Sequence, residues 1–266
     1  MGDGRESPIC RLGVGTLTGT IATASLASKF KSLGIDNAEV DEFVQFLKPK
    51  QCVLAGVDVI QTGAAANRAT LLLSGIACSY KRLEDGIRQI HTFHYPGDFC
   101  DFYRYVLPEQ DEAITVQALT DCLVATIDYA DIDQLLVRHP TLQLALWRAT
   151  MLEAAILRER LSNARRGSAL QRVANLLCEQ LARREAIGIT DPVVPIKQVD
   201  LADAAGLSIV HINRTIQTLR SLNVLSAARQ AIEVVDRKQL AKLGGFDSPY
   251  LNMPKLVSKW AVQIDD

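Results

Sequence analysis

The residues best suited to recognition chemistry lie between Lys197 and Gln217, in the run KQVDLADAAGLSIVHINRTIQ. On a helix beginning after Ser208, the side chains of Ile209, Val210, Asn213, Arg214 and Gln217 share an outward face that a DNA major groove would meet. Arg214 can pair bidentately with guanine O6 and N7, a contact worth about 1 to 3 kcal/mol of discrimination, and Val210 can touch a thymine methyl. Ser208, His211 and Lys197 are placed for phosphates, which position a protein without reading bases, and Gln198 completes the candidate DNA contacts. Elsewhere, Cys100 follows the Pro96-Gly97-Asp98 turn and is the candidate redox thiol. The other cysteines (10, 52, 78, 122 and 178) lack CxxC spacing and read as reduced, buried thiols with no disulfide framework. His91 and His94, three apart on a strand, fall on opposite faces, so no metal site is expected. Gly13-Val14-Gly15 opens no strand-to-helix unit, and no Ser/His/Asp or paired-carboxylate set is present on a recognisable scaffold. Neither catalysis nor a cofactor is expected.

The elements that position the reading face are themselves legible. Leu201, Ala205, Leu207, Ile212, Ile216 and Leu219 supply an apolar core, and Ala202 is small where two helices cross closely. Gly206 can take the left-handed conformation that ends the first helix, and Ser208 can cap the second, which together specify a helix-turn-helix. This helical pair follows a loop at Gly188 to Pro195, and after it Val224-Leu225 and Ile232 to Val235, around a polar tip at Arg229-Gln230, read as a wing-like hairpin.

Upstream, residues 1–25 lack periodicity and read as a flexible N-terminus, and the first helical pattern runs from Ala27 to Leu47. From Cys52 to Ile127, short runs rich in Val, Ile, Thr and aromatics alternate with turn signals, the clearest being Asp85-Gly86. That pattern predicts an antiparallel barrel or sandwich. A helical pattern follows, broken at His139-Pro140, with a long helix from about Thr141 to Ala164. Its stripe Leu142, Ala145, Ala149, Leu152 and Ile156 suits either packing on the chain's own barrel or a coiled seam with a partner helix, and the order of elements favours the seam. The expected domains are 1–25, a barrel at 26–137, a dimerisation helix at 138–165, a winged helix-turn-helix at 166–246 and a tail at 247–266 that docks or is loose.

Composition is consistent with this division. The 266 residues, 48% hydrophobic and 22% charged, describe a folded chain long enough for two cores. Lys and Arg total 29 against 30 Asp and Glu, so attraction to DNA must be local. Residues 196–245 carry seven Lys/Arg and four Asp/Glu, a net of +3, whereas residues 98–133 hold nine Asp/Glu and one Arg, a net of -8. No run is long and apolar enough to span a membrane, and Asp3 and Glu6 spoil the basic flank of a signal peptide, so a cytoplasmic location is expected.

Through LLLSGIACSY (71–80), DGIRQI (85–90), YPGDF (95–99) and DLADAAGLSIVHINRTIQTLR (200–220), the chain resembles the Crp/Fnr superfamily of bacterial transcription regulators. The resemblance implies an α+β fold: an N-terminal antiparallel β-barrel, jelly-roll-like and of the cyclic-nucleotide-binding type, a long dimerisation helix, and a C-terminal winged helix-turn-helix. It also implies a homodimer that docks two recognition helices, residues 208–221 here, on a near-palindromic site in double-stranded DNA, with RNA polymerase as protein partner.

Three departures qualify it. Members that bind cyclic AMP carry a Gly-Glu pair after the PGD turn and then an Arg-Ser pair. Here Asp101 and Phe102, then Glu112 and Ala113, occupy those positions. Replacing a phosphate-pairing Arg by Glu turns attraction into repulsion of about 4 kcal/mol at 4 Å and an effective dielectric near 20, so cyclic AMP binding is not expected. The iron-sulfur branch needs several N-terminal cysteines where only Cys10 stands. Many relatives also place Glu where Val210 stands, so the half-site should keep a guanine opposite Arg214 and lose the preference set by the acid. The competing reading is a dimeric redox or small-ligand sensor that acts mainly through protein partners.

Overall fold

The computed structural model describes residues 16–48, 51–61, 67–107, 114–227 and 232–252. The chain divides into two compact units, Met1–Arg82 with His91–Thr150, and Leu83–Ile90 with Met151–Asp266.

The first unit opens with α1 (Thr16–Leu33), so the expectation of a flexible segment to residue 25 is corrected for residues 16–25. Its later turns send Leu26, Phe30 and Leu33 into the core. Gly34 (φ +95°) stops it, and Asp36 starts α2 (Asn37–Gln45) with a reciprocal capping box to Glu39. The single pattern over 27–47 is therefore two helices.

Among the described residues seven strands follow: β1 (Gln51–Val53), β2 (Asp58–Ile60), β3 (Arg68–Ser74), β4 (Ala77–Arg82), β5 (Arg88–His94), β6 (Thr115–Ala118) and β7 (Cys122–Asp128). They form two antiparallel sheets, ordered β1-β7-β3 and β2-β6-β4-β5, rather than a closed barrel. Successive strands β3 and β4 fall in different sheets because the chain turns between them at Gly75 (φ +88°), where a Cβ would strike the Asp121 carbonyl.

Within β3, Ala69, Leu71 and Leu73 join α1 and α2 in one apolar cluster, while Leu72 joins Val53, Ile60 and Val116 in another. The same alternation on β7 sends Leu123, Ala125 and Ile127 to the first cluster and Cys122 and Val124 to the second. This sheet is buried on both faces, which explains the unbroken Leu71-Leu72-Leu73 run.

Three helices complete the run to residue 166: α3 (Tyr103–Val106), α4 (Tyr129–Arg138) and α5 (Pro140–Arg166). Pro140 sits at the first turn of α5, where its missing N–H costs nothing. Leu142, Ala145, Leu146 and Ala149 pack on the chain's own apolar cluster, and Ile156 is also buried. The favoured assignment of that stripe to a partner seam is therefore corrected. The large apolar side chains left exposed on α5 are Leu144, Trp147, Met151, Leu157 and Leu161, offset from the first stripe.

Cys78, Cys100, Cys122 and Cys178 are free and buried, as expected. Cys52 is disulfide-bonded, against the expectation of reduced thiols.

The second unit contains α6 (Ala169–Ala186), β8 (Val193–Val194), α7 (Gln198–Ala205), α8 (Ile209–Ser221), β9 (Ile232–Glu233) and α9 (Arg237–Gly244). Gly244 lets α9 approach α6 closely, since a Cβ there would meet the Asn175 backbone at 2.6 Å. On α6 the fully buried Glu179 is paired by Arg160, a charge compensated inside the unit. The expected hairpin is present: Leu225 bridges Val234 antiparallel, the Ser226 N–H donates to the Glu233 carbonyl and the Val235 N–H to the Val224 carbonyl, both at 2.9 Å. What the sequence missed is β8, in the stretch read as a loop, which pairs with β9. The tip at Arg229-Gln230 lies outside the described residues. After α9, Phe246 meets Tyr250 edge-on and Leu251 is buried, so the start of the tail docks.

Candidate nucleic-acid interface

The helix pair is assembled from local signals. α7 ends at Gly206, whose left-handed backbone (φ +60°, ψ +45°) lets its N–H donate to the Ala202 carbonyl. Leu207 N–H also donates to that carbonyl, at 3.0 Å, which completes the turn. Ser208 then caps α8 by accepting from the His211 N–H, and its Oγ lies 3.0 Å from His211 Nδ1. Leu201, Ala202, Ile212, Ile216 and Leu219 are buried, as the motif requires.

The opposite face of α8 is open. Val210 is 55% exposed, Ile209, His211, Asn213, Arg214 and Gln217 are exposed, and so are Lys197 and Ser208; Gln198 is half-buried at the start of α7. The sequence-derived candidates thus gather on α8 and the two helix starts. Among the described residues, the side chains of Asn213, Arg214 and Gln217 form no hydrogen bond or ion pair, so their donors and acceptors are available to a ligand. The acids of this helix pair are neutralised internally, because Arg88 pairs with Asp200 and places its Nε 2.7 Å from Asp203. Arg214 therefore keeps its positive charge uncompensated at the surface.

The segment after the PGD turn is built in the opposite sense. Asp98 is 2.8 Å from Lys29 Nζ and accepts from the Tyr95 N–H. Asp101, 4% exposed at the start of α3, accepts from the Thr70 N–H at 2.7 Å and from the Thr70 hydroxyl. Burial raises its carboxyl to about 6, with the Thr70 and Arg104 interactions opposing. At neutral pH a carboxylate thus stands where an anion-binding site would need donors. Glu112 and Ala113 lie outside the described residues.

Cys100 is buried in the apolar cluster, away from the surface exposure that a redox sensor uses. Burial also pushes the Cys122 thiol up to about 12 and raises that of Cys178. His94 pairs with Ser79 at 2.6 Å inside the unit. Two features escaped the sequence reading. One is the exposed apolar set Leu144, Trp147, Met151, Leu157 and Leu161 on α5, signalled by a Trp beside Arg148 that no core claims. The other is the role of Arg88, which only the fold brings to the helix pair.

A family described as a Crp-like helix-turn-helix domain matches residues 171–243, and one described as a cyclic nucleotide-binding domain matches residues 50–139. The chain is 23% identical to the anaerobic regulatory protein of Haemophilus influenzae over 83% of its own length and 86% of that protein's. It is 27% identical to the nitrogen fixation regulation protein FixK of Azorhizobium caulinodans, over 67% of this chain and 72% of that one. The structure of FixK2 from Bradyrhizobium japonicum superposes with a TM-score of 0.61 at 24% identity, covering 74% of this chain and 96% of the other.

Proposed function

The chain belongs to the Crp/Fnr superfamily, a DNA-binding transcription regulator rather than an enzyme, and from that premise we propose a homodimer that reads a near-palindromic site without cyclic nucleotide. One observation carries the reading: on a capped recognition helix, Arg214, Asn213 and Gln217 are exposed and unpaired, with the nearby acids neutralised by Arg88. Lys197, Ser208 and His211 would anchor phosphates at the two helix starts, while Arg214 and Val210 would read bases.

Dimer formation is supported by the second stripe of α5. Trp147, Met151 and Leu161 are 68%, 60% and 64% exposed, unusual for large apolar side chains on a surface helix. Leu144, Trp147 and Met151 follow at intervals of three and four, the spacing of a coiled seam. Burying Leu144, Met151 and Leu161 against a second copy contributes about 1.5 to 3 kcal/mol each.

Failure to bind cyclic nucleotide is supported by the Asp101 carboxylate, which already holds the donors of Thr70 and would repel a phosphate. No described helix is long and apolar enough to cross a membrane, and the proposed DNA ligand is consistent with work in the cytoplasm. The test is selection from random duplex DNA by purified, ligand-free protein at two salt concentrations. Enrichment of a palindrome is the expected result. Salt-sensitive, sequence-blind binding would defeat the reading.

A further inference from the structure

We infer that Asn213 is a specificity-determining residue that reads an adenine, so that each half-site presents an adenine next to the guanine met by Arg214. This rests on the DNA-reading proposal above and sharpens it.

Asn213 and Arg214 are consecutive, both exposed, and backed by the buried Ile212, Thr215 and Ile216, so the helix cannot rotate either one out of the reading face without exposing its core. Neither side chain has a partner among the described residues. An Asn amide offers one acceptor and a pair of donors on a single plane. In the major groove only adenine presents a donor beside an acceptor on the same base, N6–H2 and N7, so only adenine satisfies both ends of the amide. Guanine offers two acceptors, which would set its O6 against the Asn carbonyl, and it suits the donor-only guanidinium of Arg214.

The neighbours do not compete for this task. Val210, one turn earlier, offers only methyls, and His211 has its Nδ1 engaged with Ser208. Gln217 has the same chemistry as Asn213 but stands one turn further along, and the first turns of a recognition helix are the ones that reach base edges. The rival role for Asn213 is a phosphate contact, which would carry no sequence information.

The experiment takes the half-site selected by the wild-type protein and measures affinity for duplexes carrying each base at every position. Asn213→Ala, Asn213→Asp and Arg214→Ala are measured alongside. For the wild type, changing the adenine beside the guanine should cost about 5- to 100-fold. Asn213→Ala should abolish the preference at that position alone and keep the guanine. Asn213→Asp, an acceptor without donors, should shift it toward cytosine, and Arg214→Ala should lose the guanine and keep the adenine. Uniform weakening on all sequences by Asn213→Ala, or an unchanged adenine preference, would overturn the inference while leaving DNA reading intact. Absence of any selected sequence for the wild type would overturn both.

Discussion

After the Pro96-Gly97-Asp98 turn the acids are engaged internally, Asp98 by Lys29 and Asp101 by Thr70. Along α8 the bookkeeping is reversed: Arg88 takes the acids of the helix pair, and Asn213, Arg214 and Gln217 are left unsatisfied at the surface. The two units match two different families, and among the described residues their charged groups are engaged in opposite ways. A conserved architecture carries a scaffold, and the ligand is decided by which polar groups on it remain free.

Changes that break the contrast most severely should act through dimerisation. Trp147→Glu with Met151→Lys places charges in the proposed seam. It should yield monomers by sedimentation and cost about 10²- to 10⁴-fold in affinity for a two-half-site duplex, because the second helix loses its effective concentration. Single-half-site binding should persist.

The opposite end of the contrast is tested by Asp101→Asn. Its folded carboxyl titrates near 6, above the value of about 3.9 for a free Asp, so the folded state holds a proton that the unfolded chain releases. That penalty is absent below about pH 4, grows through pH 6 and is complete at neutral pH. The Asn variant should therefore be more stable by about 2 to 3 kcal/mol at pH 7.5 in denaturant melts, with the difference vanishing near pH 4. An unchanged difference across that range would show that the carboxyl is not buried as a charge.

Smaller effects sharpen the DNA half. Gly206→Ala meets no neighbour within 4 Å but must hold a φ of +60°, so it should cost about 1 kcal/mol in thermal unfolding through backbone strain alone. Lys197→Ala should weaken binding to all sequences alike and lower the slope of log affinity against log salt by about one unit per half-site.

The helix-turn-helix was legible because each of its determinants is local: Gly206 for the left-handed turn, Ser208 for the cap, and the apolar spacing that such a pair requires. The long helix was legible for the same reason, but the use of its faces was not. Leu142 and Leu144 both begin apolar stripes, and only contact with α1 and the sheet decides that Leu142 is inside. Strand β8 is two residues long and exists through its pairing with β9, so no alternation could reveal it. For Asp101, the resemblance implied the loss of an anion-binding pair; the engagement of its carboxylate by Thr70 required the fold.

The central claim, that DNA is read with the nucleotide-type unit closed to its nucleotide, is tested most directly by one titration. Affinity for the selected duplex is measured with and without millimolar cyclic AMP or cyclic GMP. The account predicts tight, sequence-specific binding by the ligand-free protein that neither nucleotide alters. Specific binding that appears only after nucleotide is added would contradict it.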